Sequence, residues 1–292
     1  MTEAAQPWYS HTMTTHADPI PAINEVDATG EQATLFEDIR QSLGVPVVNL
    51  IFRHLATFPN VLPWCWQSLK PIYLDGTIGV QAHALRNALS LPSVAAISEA
   101  TLGDTGIARA DLNSIRMILR SYERSNAMNM IAFGALRARL CGDGHQSLPL
   151  VRPDGEQQAA LTGTMPKPLA VAEMNEHTRA LVLQLATIGG DHPIMPTMYR
   201  HLAHWPQYLG LLSDRLAPLN ESRALALAID SVMVDTQSLG LQIIGGLGQP
   251  AMALDASAKA ILIQTIDTFQ RCVIGKMIVI VGVIKQAMPV EN

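Results

Sequence analysis

The sequence predicts an all-α protein, built as a tandem duplication of two helical repeats that pair about a pseudo-two-fold axis like a fused dimer. Hydrophobic residues recur at helical spacing, and no clear run alternates with the period of a β-strand. The octet FRHLATFP at 52–59 also recurs as YRHLAHWP at 199–206. Because 48% of the 292 residues are hydrophobic and only 15% are charged, the chain can bury a large core.

Helical periodicity is clearest in three segments. Apolar residues fall at every fourth position within 31–43, and they share one face within 108–140. Segment 220–239 carries apolar residues at helical spacing after Asn220, which we predict to be its N-cap. The most apolar run, 277–284, is far too short to span a bilayer, and it predicts a buried helix.

A glycine- and proline-rich stretch interrupts the helical pattern near the middle of the chain. Residues 142–168 include four glycines and four prolines, which is typical of a linker. The chain therefore divides into four parts. These are a polar N-terminal arm at 1–25, a first helical repeat at 26–141, a linker at 142–169 and a second repeat at 170–292.

One constant offset relates the two halves. Shifting the chain by 147 positions, from 52 to 199, also aligns prolines, leucines and the pair Met130-Ile131 with Met277-Ile278. The match extends from about residue 33 to about 131, which favours duplication over coincidence. We expect each octet to join two helices, with Pro59 and Pro206 in the first turn of the second one. A pocket between the halves is the natural ligand site.

Composition excludes several classes of function. The formal net charge is −5 and no basic run occurs, which argues against nucleic-acid binding. The three scattered cysteines form no CxxC pair, and no apolar leader opens the chain, so we expect a cytoplasmic protein with reduced cysteines and no membrane partner. We expect no metal and no cofactor, because GGLG at 245–248 lacks the dinucleotide-binding spacing and no metal-ligand cluster occurs.

Two histidines stand in both octets, each directly after an arginine. The pairs are Arg53-His54 and Arg200-His201. Acid–base chemistry is one interpretation of these imidazoles. Helix-end packing is the favoured one, since a residue present in both halves serves the shared scaffold.

Positions that differ between the halves are better candidates for chemistry. Asn126 aligns with Val273, and an amide there could orient a water or a carboxylate, or simply bond to a neighbour. Asp191 and His192 could share a proton or hold an anion. After the glycines at 189–190, an N-cap or turn role is favoured for this pair.

Several motifs in order resemble the group I 2-haloacid dehalogenases, a family of all-helical proteins. The stretch LFEDIRQSLGVPVVNLIFRHLATFPNVLPWCW at 35–66 looks like the first repeat of that family. The L-A-x-W-P motif of its second repeat is matched at 202–206, and its Y/F-x-x-x-N segment at 122–126. The resemblance covers roughly 26–140 and 170–288.

The resemblance implies hydrolysis of 2-haloalkanoic acids by a water that attacks the α-carbon directly. In the family an Asp activates this water, an Asn helps to hold it, and no cofactor is used. Asn126 is kept here, but Met198 stands where the Asp is expected, and Val47 stands in place of a substrate-side Trp. By resemblance, or as the pseudo-symmetric equivalents of such positions, the substrate-binding residues are Val47, Leu50, Tyr122, Thr197, Met198, Phe269 and Val273.

These observations leave three functions open. The first is a hydrolase of the haloacid type, in which Asp191 or His192 acts with Asn126 in place of the missing base. The second is another reaction on a small metabolite in the same pocket, and the third is a non-catalytic protein that binds a small ligand. We expect a mostly apolar cavity at the junction of the halves, and a homodimer is an open alternative to a monomer.

Overall fold

The computed structural model describes residues 20–143, 159–190 and 194–289. Every regular element in these ranges is helical, which confirms the all-α prediction there. Twelve α-helices are described: α1 Gly30–Leu43, α2 Leu50–Leu55, α3 Val61–Leu74, α4 Thr77–Ala88, α5 Glu99–Asp104, α6 Arg109–Cys141, α7 Glu176–Thr187, α8 Thr197–Leu202, α9 Pro206–Glu221, α10 Ala224–Ile243, α11 Ala256–Phe269 and α12 Gly275–Ala287.

Local signals set several helix ends. Gly44 ends α1 in the left-handed region at φ 63°, where its N–H and that of Val45 bond to carbonyls of the last turn. Asn175 begins α7 and Asp255 begins α11, each with a side-chain oxygen that accepts an N–H of the first turn. The polar side chains and the glycine thus fix where these helices start and stop.

Helix bounds recur at the offset that the sequence predicts. The octet helices α2 and α8 begin at Leu50 and Thr197, and the helices α4 and α10 begin at Thr77 and Ala224, each pair 147 positions apart. The residues before α4 and α10 are both left-handed, at φ 78° and 61°. These correspondences support the duplication, which stays a prediction until the halves are superposed.

The long helix α6 forms the centre of the core. It packs most extensively against α10, α12 and α4, and most residues in its second half are buried. The contact with α10 depends on glycine, because a Cβ at Gly240 would lie 3.0 Å from the backbone nitrogen of Ala135. The backbones of α6 and α10 therefore approach each other closely at this crossing.

In the second half of the chain, the helix that would correspond to α6 is interrupted. Residues Gln270–Ile274 form a π-helical segment between α11 and α12, and it includes the predicted site residue Val273. The Gln270 side chain donates to the carbonyl of Met130 at 2.8 Å, which ties the segment to α6. Since π segments are rare and costly, this one marks a real difference between the halves.

Some local predictions fail and others are confirmed. Asn220 lies in the last turn of α9 and not at the start of α10, whose N-cap is Arg223. Pro206 does occupy the first position of α9, but Pro59 lies two residues before α3. The apolar run 277–284 is a mostly buried part of α12, as predicted.

The predicted linker and N-terminal arm lie only partly within the described residues. Residues 159–168 of the predicted linker contain no helix, and residues 144–158, like most of the N-terminal arm, lie outside the described residues. By length and apolar composition alone, one helix in the described ranges, Ala224–Gly246, could cross a membrane. Long helices that contribute to the core of a globular protein meet the same criterion.

Candidate functional site

The two octet helices meet at a buried arginine. Arg53 is 3% exposed, and its Nη2 donates to Thr197 Oγ1, the first residue of α8, at 2.9 Å. Its Nε donates to the carbonyl of Val48 at 3.2 Å. A single guanidinium therefore links the first half of the chain to the second, and it places a positive charge at their junction.

Each octet histidine is tethered to the chain segment that precedes its half. The Nδ1 of His54 lies 2.7 Å from the carbonyl of Pro21, and the Nδ1 of His201 lies 2.7 Å from that of Pro166. Because a carbonyl can only accept, Nδ1 carries the hydrogen in both rings. In the neutral ring, Nε2 is then the unprotonated, accepting nitrogen.

The same histidines face aromatic rings of the opposite half. His54 stacks on Phe269 with ring centroids 5.6 Å apart, and His201 faces Tyr122 at 5.8 Å. The exchange is reciprocal, because each half supplies one imidazole and one aromatic ring. It brings the predicted residues Tyr122 and Phe269 to the junction, as expected of two related halves.

The environment of His201 strongly favours the neutral ring. The pKa of His201 is lowered to about 4, mainly by burial and in smaller part by the nearby charges of Arg53 and Arg200, while the bond to Pro166 opposes the shift. Burial also lowers the pKa of His54. Both imidazoles are therefore uncharged at neutral pH.

One face of α6 is polar although it is buried. Tyr122, Ser125, Asn126 and Asn129 follow one another at three- and four-residue spacing, which places them on one stripe of the helix. Asn126 is 5% exposed, and its Nδ2 has no hydrogen-bond partner among the described residues. The Tyr122 hydroxyl lies near Thr197 and likewise makes no bond of ordinary geometry there. Such groups are costly in a core unless a water or a ligand binds them.

Hydrogen bonds fix two further amides beside this stripe. Asn49, at the start of α2, donates through Nδ2 to Ser125 Oγ at 2.9 Å, and Ser125 donates to the carbonyl of Ser121 at 2.8 Å. The Tyr73 hydroxyl donates to Asn129 Oδ1 at 2.7 Å. Burial raises the pKa values of Tyr73 and Tyr122, so both phenols remain protonated donors.

The predicted substrate-binding residues differ in exposure. Val47, Tyr122, Thr197, Met198, Phe269 and Val273 are buried, and Leu50 is half-buried. Two predicted catalytic residues, Asp191 and His192, lie outside the described residues, so their roles stay predictions. The described part of the chain contains no group of three His, Cys, Asp or Glu residues that could hold a metal.

A small cavity lies where residues of the two halves meet. It has a volume of about 10 Å³, which is room for a single water. Of the predicted lining residues it includes only Leu50. Its lining consists of Ile20, Ala22, Asn24, Leu50, Arg53, Ile194, Met195 and Arg200. Five of these eight residues are apolar, while Asn24, Arg53 and Arg200 are polar. The expected cavity lined by Asn126 and Met198 stays a prediction.

Larger cavities lie away from the junction. One of about 340 Å³ lies between α6 and the end of α12, and one of about 300 Å³ lies between α4 and α12. A third, of about 290 Å³, lies between α6, α10 and the π segment. Neither the octet histidines nor Asn126 line any of the three.

Sequence reasoning missed the residues that organise the junction. It assigned no role to Asn49, Tyr73 or Asn129, and it noted Arg53 only as a neighbour of His54. Their partners are 56 to 144 positions away in the chain, so no local pattern reveals them. A usable signal is the spacing of polar residues along α6, which places four amides or hydroxyls on one stripe of this helix.

Comparison with known proteins shows similarity to 2-haloacid dehalogenases. The chain is 26% identical over 215 residues to a configuration-inverting 2-haloacid dehalogenase of Alcaligenes xylosoxydans xylosoxydans, an alignment covering 68% of this chain and 69% of that protein. It is 23% identical over 205 residues to an (R)-2-haloacid dehalogenase of Rhizobium sp. (strain NHG3), with 68% and 79% covered. An (R)-2-haloacid dehalogenase of Pseudomonas putida is 27% identical over 112 residues, 36% of this chain and 37% of that protein. No protein-family model matches the chain.

Solved structures share the fold. A D-2-haloacid dehalogenase mutant has a TM-score of 0.72 at 17% identity, with 94% of this chain and 98% of that chain covered. Another D-2-haloacid dehalogenase mutant, in complex with D-2-CPA, has a TM-score of 0.67 at 17% identity, with 96% and 98% covered. The described helices therefore form the all-helical D-2-haloacid dehalogenase fold. The comparisons do not address the change at Met198, which stays a sequence inference.

Proposed function

We propose that this chain is a hydrolase that acts on small 2-substituted carboxylic acids, with 2-haloacids as the first substrate class. The sequence relatives are haloacid dehalogenases, and the fold is shared with solved D-2-haloacid dehalogenases. The observation that carries the proposal is the buried Nδ2 of Asn126, which has no partner among the described residues. An amide in that state is suited to hold a water.

The reaction requires four events at the junction. A water oxygen forms a bond to the α-carbon, the carbon–halogen bond breaks, the halide leaves with the electron pair, and a base takes the proton of the water. Asn126 orients the water, and the Arg53 guanidinium attracts the substrate carboxylate. Met198 supplies no proton acceptor, so the base must be another residue, and Asp191 and His192 are the candidates from the sequence.

Room for the substrate must come from movement of the junction. The observed cavity of about 10 Å³ holds one water but no haloacid. Leu50 and Met195 line this cavity, and their side chains are flexible enough to repack around a small ligand. We therefore place the substrate between Leu50, Arg53 and α8, with its carboxylate toward Arg53.

Halide release from 2-chloropropionate tests the function. We expect measurable release by the wild-type protein and a loss of activity in Asn126→Val. Asp191→Asn and His192→Gln test whether either residue is the base. No release by the wild-type protein or by Met198→Asp, which restores the carboxylate seen in the family, would contradict a haloacid hydrolase.

A second function is favoured by one specific observation. Met198 is fully buried at the position where the resemblance places a carboxylate, so the site has lost the family's proton acceptor. The same pocket could then serve another reaction on a small metabolite or bind a small ligand without turnover. Binding of 2-chloropropionate without halide release, measured by calorimetry, would favour this alternative.

A further inference from the structure

Two buried side chains, one on α8 and one on α6, each have a nitrogen without a hydrogen-bond partner among the described residues: His201 and Asn126. His201 lies in α8, one turn after Met198, and its ring faces that of Tyr122 at 5.8 Å. Asn126 lies one turn beyond Tyr122 on the same stripe of α6. Both α6 residues therefore lie on the face that packs against α8.

The tautomer of His201 is set by its neighbours. The Nδ1–H donates to the carbonyl of Pro166, so Nε2 presents a lone pair. His201 is 2% exposed, and this Nε2 has no hydrogen-bond partner among residues 20–143, 159–190 and 194–289. The histidine is therefore oriented as metal-ligand and general-base histidines are, with one nitrogen tethered and the other unused.

We propose that His201 is the general base of the reaction and replaces the carboxylate that is missing at Met198. In this step Asn126 Nδ2–H donates to the water oxygen, and the water O–H donates to His201 Nε2. As the new C–O bond forms and the halide leaves, the proton passes to Nε2, and the imidazolium later releases it to solvent. The inference rests on the proposed function.

The charges around His201 are compatible with this role. Among the described residues, the titratable groups that act on it are Arg53, Arg200 and His204, and all three disfavour an imidazolium. The lowered pKa of His201, about 4, keeps the ring neutral over the physiological range. A base of this strength resembles an ordinary aspartate, whose pKa is also about 4.

The other octet provides an internal comparison. His54 has the same tether, to Pro21, but it faces Phe269, and Val273 occupies the position that aligns with Asn126. Neither Phe269 nor Val273 can hold a water by its side chain. His54 is therefore a structural equivalent of His201 without the partners that the reaction needs, and it is a matched control.

The test compares His201→Asn with His54→Asn. Asparagine can keep the donor to the proline carbonyl, since its Nδ2 lies near the position of Nδ1, but it lacks the second ring nitrogen. We expect His201→Asn to lower kcat for 2-chloropropionate by about 100-fold or more, with KM nearly unchanged. We expect His54→Asn to retain most of the activity, and the two melting temperatures to fall by similar amounts.

A second variant separates loss of the base from damage to the fold. Met198→Asp combined with His201→Asn supplies a carboxylate one turn away, and we expect it to recover a large part of the lost kcat. Equal activity of His201→Asn and the wild type would overturn the assignment of the base and leave the proposed function intact. Equal losses in both histidine variants, with no recovery by Met198→Asp, would overturn it as well.

An inactive wild-type protein would also test the role of His201. If only Met198→Asp releases halide, the pocket is a haloacid site without a working base, and the role of His201 is refuted. If neither protein releases halide, the proposed function fails and the base assignment fails with it.

Discussion

Each octet, at 52–59 and at 199–206, forms a corner between two helices. The two corners have similar sequences, and the histidine of each bonds to a proline carbonyl, but the surroundings of the two histidines differ. His54 stacks on Phe269 beside a π-helical segment, whereas His201 faces Tyr122 on an uninterrupted helix. His54 lies against the rings of Phe58 and Phe269, whereas the ring that His201 faces carries a phenol hydroxyl, and Asn126 follows one turn later on the same helix. The comparison teaches that two histidines with the same sequence context and the same kind of hydrogen bond can have different surroundings, because the residues on the facing helix differ.

The largest effect is expected from making the second corner resemble the first. Asn126→Val copies the residue at the aligned position 273, and we expect it to lower the rate of halide release by about 100-fold, because the water loses its donor. The melting temperature should stay equal or rise, since a buried amide without a partner is removed. Val283→Ala, at a buried position of α12 with no assigned role, is the control, and an equal loss of activity in this variant would show that the effect of Asn126→Val is not specific.

Acid should destabilise the protein through His201. The pKa of His201 is about 4 when folded and 6.5 in the reference state. Below pH 6.5 the unfolded chain therefore binds a proton that the native ring does not bind, and stability falls as the pH drops from 6.5 to 4. The loss amounts to at most about 3 kcal/mol.

Denaturant unfolding at several pH values measures this loss. His201→Asn should show a weaker dependence between pH 4 and 6.5 than the wild type, because it has no imidazole to protonate at this position. His54→Asn should remove a smaller part of the dependence. Indistinguishable profiles for the wild type and His201→Asn would contradict the unusual environment of His201.

Removing the link between the corners should destabilise the fold directly. Arg53→Met keeps the apolar stem but loses the bonds to Val48 and Thr197, and hydrogen bonds to a charged group are worth about 1.5–3 kcal/mol. We expect a loss of this size in the free energy of unfolding and a raised KM for 2-chloropropionate. Arg109→Met, at an exposed position, is the control. Unchanged stability in Arg53→Met would show that the junction does not depend on the guanidinium.

The smallest effect concerns the packing that holds the corners in place. Gly240→Ala should cost about 1–3 kcal/mol, because its Cβ would lie 3.0 Å from the backbone of Ala135 where α10 crosses α6. Gly210→Ala in α9 meets nothing within 4 Å and should stabilise by up to about 1 kcal/mol. Chemical denaturation of both variants measures the difference. A neutral Gly240→Ala would mean that the two helices can separate freely.

The sequence predicted the features that depend on local spacing. Apolar periodicity predicted helices, the repeated octet predicted two similar corners, and Pro206 marked a helix start. The predicted N-cap role of Asn220 is wrong, because this residue, although of a type that caps helices, lies in the last turn of α9. No pattern in the sequence predicts the π-helical segment at 270–274.

The polar contacts of the site depend on residues far apart in the chain. Arg53 and Thr197 are separated by 144 positions, and Tyr73 and Asn129 by 56, so only the fold reveals these pairs. The sequence favours a packing role for His201, because His54 aligns with it in the first half and a residue present in both halves indicates a shared structural role. The tether to Pro166 confirms that structural contact, and the facing residues, which differ between the halves, are what suggest a second role.

The source of the product hydroxyl oxygen tests the central claim, water attack at the second corner, most directly. The experiment is a single turnover of 2-chloropropionate in H₂¹⁸O with enzyme in excess, followed by mass spectrometry of the lactate. We predict that the first turnover places ¹⁸O at the α-carbon, because Met198 offers no carboxylate to attack in place of water. Lactate with ¹⁶O at the α-carbon in that turnover would show that a protein group attacks first and would contradict the account.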